Sequence, residues 1–410
     1  MDETAAFTAE RLVPPPYHRQ LVALLKVREP ELWQWASSAR AEEDYVQQVR
    51  DHLLKHTYRL DEQGHGDIIR SAIEVAARLE IGAPVTLYQS LGDNSDMNAA
   101  LFYLPGEVHI VFSGALLDTL SSYELDAVLG HEMAHYRLWE AESRDFLTAD
   151  RLLVMAADDP RAASSHTHTA RRLRLYTEIY ADRGALVGCT DLQAAVAALV
   201  KTATGLQDVS AASYLRQADE ILAGQETQVG QFSSANVDHP DTFIRARALR
   251  LWAEQDPQVD RWLGTVIEGG LALNELDLLG QQKLAQVSQF VIAELLSPAW
   301  FQTPATLAHA NAYFPDFKPG AEPDPALTEA LHFIDAETRD YLCYLLLDFA
   351  VIDKELEDAP LAAAYIVSHR LDIAATFEQI VTRELRMTKR QLAKFKKSAA
   401  EALARAAAEA

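Results

Sequence analysis

The sequence predicts an α+β fold: a mainly helical domain that carries a small β-sheet, followed by an all-α C-terminal domain. Three observations predict it. Apolar residues recur at three- and four-residue intervals through most of the 410 residues. Short runs rich in β-formers are confined to residues 85–112. Prolines at 298, 304, 315, 319, 323 and 325 then interrupt the pattern before it resumes. That stretch reads as an interdomain linker. The expected organisation is an N-terminal helical segment over 1–64, a domain over 65–255, a helix and Pro-rich linker over 256–325, and a helical domain over 326–410.

In chain order, Leu21, Leu24 and Leu25, then Val46, Val49, Leu53 and Leu54, give helical spacing after the break at Pro14-Pro15-Pro16. Ile68 to Leu79 continues as an amphipathic helix that ends near Gly82. Three strand-like pieces follow at 85–88, 100–103 and 108–112, with Pro105-Gly106 as a turn between the last two. Ser121 and Glu124 form an S-x-x-E capping box. Behind it Leu125, Val128, Leu129, Met133 and Tyr136 repeat as a half-buried helix requires. Further helices are expected over 143–157, from His168 to Val187 and from Ser210 to Leu222. Gly224 to Val237 reads as a Gln/Ser/Gly-rich loop, and a helix starts at Pro240.

Composition excludes several classes. A net charge of −23 leaves no broad basic surface for nucleic acid. No run of 18 apolar residues could span a bilayer. Met1-Asp2-Glu3 opens acidic with no apolar run behind it, so no standard secretory signal is expected. The two cysteines, Cys189 and Cys343, lie far apart in helical patterns and read as small buried residues. A cytoplasmic protein is the simplest expectation.

The chemistry is concentrated at His131-Glu132-Met133-Ala134-His135, an HExxH on the capped helix. Histidines four apart share one helical face, so both imidazoles can reach one ion, and Glu132 can take a proton from a water there. A catalytic zinc needs a third protein donor. Glu178, 43 residues beyond His135, is the candidate, with Asp182 one turn later on the same face. Flanked by Leu175, Tyr176, Ile179 and Tyr180, these carboxylates sit in a mostly buried helix. There a metal and a histidine N–H would offset their desolvation. His52 and His56 have the same spacing but no adjacent acid, and read as a surface helix. His166 and His168 read as a solvated helix start. No G-x-S-x-G supports serine chemistry.

HExxH with a downstream ExxxD is the gluzincin pattern, and the chain resembles the HtpX and CAAX-prenyl-protease type of zinc peptidase, metallopeptidase family forty-eight, in a form without transmembrane helices. Met97-Asn98-Ala99-Ala100 followed by residues 108–117, Tyr123 to Gly130, and Asp238-His239-Pro240 with Arg245 match that family's motifs in order over about residues 65–250. Ala100 stands where the family often has an aromatic residue. The resemblance implies a zincin-type catalytic domain, one zinc ion per chain and a peptide or protein substrate. It places Asn98, Ala99 and Ala100 on an edge strand that binds substrate, although Asn98 also reads as a loop residue. It puts His239 near the zinc, either as an oxyanion donor or as a fourth ligand that holds the enzyme latent. Arg245 would support the oxyanion or hold His239.

Beyond the linker, two helices flank Asp353-Lys354-Glu355-Leu356-Glu357-Asp358. This is similar to the tellurite-resistance TerB-like helical domain, and equally to an ordinary αα-hairpin. Arg383, Arg386, Lys389, Arg390, Lys394, Lys396 and Lys397 give the last helix a basic face. That face is solvated, or it meets an acidic partner or an anionic membrane. The expected activity is a zinc endopeptidase. The competing expectation is a regulatory or binding protein with a closed zinc site that acts through its C-terminal module on a partner.

Overall fold

A computed structural model describes residues 7–92, 97–158, 163–223, 239–320, 327 and 330–409. The chain divides into two units, Met1–Gly269 and Gly270–Ala410. The first contains α1 (Pro16–Arg28), α2 (Pro30–Ala36), α3 (Ala39–His56), β1 (Thr57–Arg59), α4 (Glu62–Arg78), β2 (Val85–Ser90), β3 (Asn98–Leu104), β4 (Glu107–Ser113) and α5 (Leu116–Thr119). It continues with α6 (Ser122–Glu140), α7 (Asp145–Asp158), α8 (Ser164–Cys189), α9 (Leu192–Thr204), α10 (Ala211–Ala223), α11 (Thr242–Ala253) and α12 (Val259–Ile267). This is the expected mainly helical α+β architecture.

The sheet has the order β1-β2-β4-β3, with β2 parallel to β4 and the other pairs antiparallel. The most buried strand takes a central position: Val108, Ile110 and Phe112 of β4 are fully buried, worth about 1.5–3 kcal/mol each. Gly106 turns β3 into β4 at φ +73°, a left-handed conformation that glycine accepts without strain. β3 is left as an edge, paired with β4 from Asn98↔Ser113 to Leu104↔Glu107. Its free side faces α6. Strand β1 is only three residues long and follows a helix directly, too short for a periodicity to show it. Helix α9 is a further element that the sequence reading did not single out.

The second unit contains α13 (Leu278–Leu295), α14 (Pro304–Tyr313), α15 (Ala336–Ile352), α16 (Ala359–Arg370), α17 (Ala374–Glu384) and α18 (Lys389–Glu409). Its core includes Val291, Leu346, Phe349 and Phe377. The expected linker is corrected over 298–320, because Phe301, Ala310 and Phe317 are buried in that same core. Pro304 stands in the first turn of α14, where a missing N–H costs nothing. Residues 321–325 of that stretch, the 224–237 loop and Asp238 lie outside the described residues. The acidic segment between α15 and α16 is a single 3₁₀ turn, in which Asp353 accepts from the Glu355 N–H at 3.0 Å.

Candidate metal centre and cleft

The capping box sets the register of α6. Ser121 N donates to Glu124 Oε2 at 2.7 Å, Glu124 N donates to Ser121 Oγ at 3.4 Å, and Lys201 Nζ of α9 adds 2.9 Å to the same Glu124 oxygen. Fixed there, the helix buries Leu129, Met133 and Leu138 and turns His131 and His135 toward α8. Helix α8 runs antiparallel to it at very short range. A Cβ on Gly130 would lie 2.6 Å from the Gly184 carbonyl oxygen, and one on Gly188 would lie 2.8 Å from that of Asp126. Glycine at these three positions therefore lets the backbones approach, and that approach brings Glu178 to the histidine pair.

Three donor atoms converge. His131 Nε2 lies 3.2 Å from His135 Nε2, and Glu178 places Oε2 3.5 Å from the first and Oε1 3.5 Å from the second. A tetrahedral zinc with bonds of about 2.0–2.2 Å holds its donors about 3.3–3.6 Å apart. Buried His135 Nδ1 and Glu178 Oε2 make no well-directed hydrogen bond. The donor set therefore fits a small divalent cation, and it is the one group of three or more such residues among the described residues placed to hold an ion. The His52 and His56 rings lie tilted against each other, and His52 stacks on Phe102.

The electrostatics point the same way. Burial alone would lower the His131 pKa, but Asp182 and Glu178 outweigh it and hold it up at about 10, so positive charge is favoured at this spot. His135 makes no such hydrogen bond to a carboxylate, and burial pushes it down to about 4 although the Glu178 charge opposes that shift. Glu178 would be raised by burial but is held well below the usual carboxylate range, first by His131 and then by His239. Burial raises Glu132 to about 7, with His131 opposing it and Glu178 adding to it.

Asp182 Oδ1 lies 3.1 Å from His131 Nδ1, which makes Nδ1 the donor and leaves Nε2 turned toward Glu178 and His135. The other face of Asp182 is taken by Arg245 in a two-point grip, Nε to Oδ2 at 2.8 Å and Nη2 to Oδ1 at 2.6 Å. Arg245 was expected at the oxyanion or against His239. It stands instead behind Asp182, with Nη2 3.4 Å from Glu178 Oε2, because a buried guanidinium demands the nearest carboxylates. His239 sits just ahead of α11, more than half exposed, with Nδ1 3.0 Å from Glu178 Oε2.

These residues line one cleft of about 810 Å³, together with Met97 to Leu101 of the β3 edge. Asn98, Ala99 and Ala100 are thus brought to the site, Asn98 Oδ1 accepting the Ala99 N–H at 3.0 Å. Leu101 N donates to Glu132 Oε2 at 2.8 Å and so anchors that carboxylate between strand and histidines. The sequence gives no signal for this contact, since a main-chain donor leaves no residue type behind. Among the described residues, those lining the cleft begin at Met97.

The sequence profile of peptidase family M48 matches residues 62–253. These residues form a peptidase family M48 domain. The M48 domain opens with α4 and closes with α11, so it contains every residue of the metal group and its supports. A plastoglobule-localized metallopeptidase 48, chloroplastic, of Arabidopsis thaliana is 28% identical over 194 residues, which is 44% of this chain. The chain spans about 55% of that relative's length. No solved structure matches the chain. The match places residues 62–253 in a family of metallopeptidases, and no helix among the described residues is long and apolar enough to cross a membrane.

Proposed function

We propose that the chain is a zinc-dependent endopeptidase acting on peptide or protein substrates. The observation that carries the reading is the convergence of His131 Nε2, His135 Nε2 and Glu178 beside an anchored Glu132 and an unpaired strand edge. Zinc held by those three side chains would supply a Lewis acid that polarises water and the scissile carbonyl. The substrate main chain pairs with the free edge of β3 at Asn98 to Ala100, which aligns it along the cleft. Glu132 takes the proton of the attacking water and delivers it to the leaving amine, a role that suits a carboxylate poised near neutrality. Asp182 fixes the His131 tautomer, and Arg245 fixes Asp182. The cleft continues past the site on both sides, toward Val128 and Leu199 and toward Trp139 and Asp150. That extension accommodates chain on either side of the cut bond and favours internal cleavage.

A second reading, a latent or purely regulatory form, draws support from His239, whose Nδ1 lies against Glu178 Oε2. Under it His239 restrains the site and a partner acts through the C-terminal helical unit. Cytoplasmic placement belongs to the proposal and rests on the two free, buried cysteines; the plastoglobule location is that of the relative. The test is metal analysis. Purified protein should hold about one zinc per chain, and Glu178→Ala should lose most of it. Full zinc retention by that variant would remove Glu178 from the site.

A further inference from the structure

The supports of the metal group described so far lie within the M48 domain, and α1 lies before it. His18 of α1 is nonetheless only 1% exposed, and its Nε2 stands 3.0 Å from Oγ1 of Thr177, the residue before Glu178. Thr177 lines the cleft, so His18 meets the wall of the site from outside. The neighbouring pair repeats the docking: Tyr17 stacks on Tyr176 with ring centres 5.0 Å apart. Helix α1 also reaches the start of α7, where Lys26 pairs with Asp145 at 2.6 Å and Arg19 pairs with Glu142 just before it at 2.8 Å. Those two pairs are open to solvent and contribute little.

The hydrogen-bond roles at His18 are fixed. Thr177 has one hydroxyl proton and gives it to the Leu173 carbonyl at 2.9 Å. Its oxygen can therefore only accept from His18, which puts the ring proton on Nε2. Nδ1 is then a bare acceptor, and it is buried without a partner. Burial pushes the pKa of the ring down to about 3, so the ring is neutral. It sits edge-on to Phe146 at 5.6 Å, a setting that an apolar side chain would fill without burying an unsatisfied nitrogen. What histidine adds here is the N–H to Thr177. Two hydrogen bonds then fix the Thr177 side chain, and with it the turn of α8 from which Glu178 projects. Resting on the zinc-peptidase reading above, we propose that His18 is a positioning residue for the metal centre, acting through Thr177 to hold Glu178 in place for the ion.

The experiment measures the zinc affinity of the full chain by chelator competition, and the visible spectrum of the cobalt(II)-loaded chain, which reports ligand geometry without turnover. His18→Leu removes the N–H, and His18→Gln returns one at about the reach of Nε2. His18→Leu should weaken zinc about two- to tenfold, the weight of one neutral hydrogen bond, and shift the cobalt bands, while His18→Gln restores both. Thr177→Val should give the same loss, and the double variant should lose no more than either single one. Should His18→Leu fail to fold, Thr177→Val against Thr177→Ser makes the same comparison from the other side of the bond. Wild-type affinity and spectrum in folded His18→Leu overturn the proposal. So does a His18→Gln protein as impaired as His18→Leu, or strictly additive losses in the double variant. Zinc binding that follows His18 without any peptide cleavage by the wild-type chain would sink the peptidase reading and leave the positioning standing; a wild-type chain that takes up no zinc would remove both.

Discussion

Asp182 shows how much of the proposed metal site lies one layer behind its donors. It accepts from His131 and is gripped by Arg245, so one carboxylate sets a histidine tautomer and is itself held rigid. Asp182→Asn keeps the shape but can present an amide N–H to His131, which favours the wrong tautomer. Zinc affinity or turnover should fall about ten- to a hundredfold while the thermal unfolding midpoint stays close to that of wild type. Wild-type values in both zinc titration and peptide cleavage would show that the pair does not tune the site. His239 separates the two forms of the enzyme account. As an oxyanion donor its loss slows the reaction; as a restraint on Glu178 its loss speeds it. Its exposure and its contact with the proposed ligand carboxylate of Glu178 favour restraint, so His239→Ala should cut peptide faster at matched zinc content. A rate well below wild type would assign it to the oxyanion instead.

The α6–α8 pair is the element on which the centre depends. HExxH, ExxxD and the capping box were legible because each is a local spacing on one helix. The approach of the two helices was not, since Gly130, Gly184 and Gly188 carry meaning only when the facing backbone is known. A Cβ on Gly184 would stand 2.9 Å from the Gly130 carbonyl oxygen and would run into Ala134. Gly184→Val should therefore cost about 1–3 kcal/mol of stability and lose zinc with every ligand intact. Unchanged metal content in a folded Gly184→Val protein would contradict the role given to the glycine seam. The sheet follows the same rule. Its three longer strands were readable from apolar runs, whereas β1 was too short, and the Leu101–Glu132 link involves a main-chain group that no pattern reveals.

Across the whole molecule, the M48 domain holds the cleft and all of its chemistry, and the first unit encloses it within Met1–Gly269. The linker expected from six prolines was misread because proline count outweighed the apolar residues between them. Phe301, Ala310 and Phe317 belong to a core, and Pro304 merely begins a helix. What separates a peptidase from a binding protein built on the same centre is the proton traffic at Glu132. The decisive measurement is peptide cleavage by wild type and Glu132→Gln at equal zinc content. The account predicts that wild type cuts and that Glu132→Gln keeps its zinc without cutting; cleavage by Glu132→Gln at the wild-type rate would contradict it.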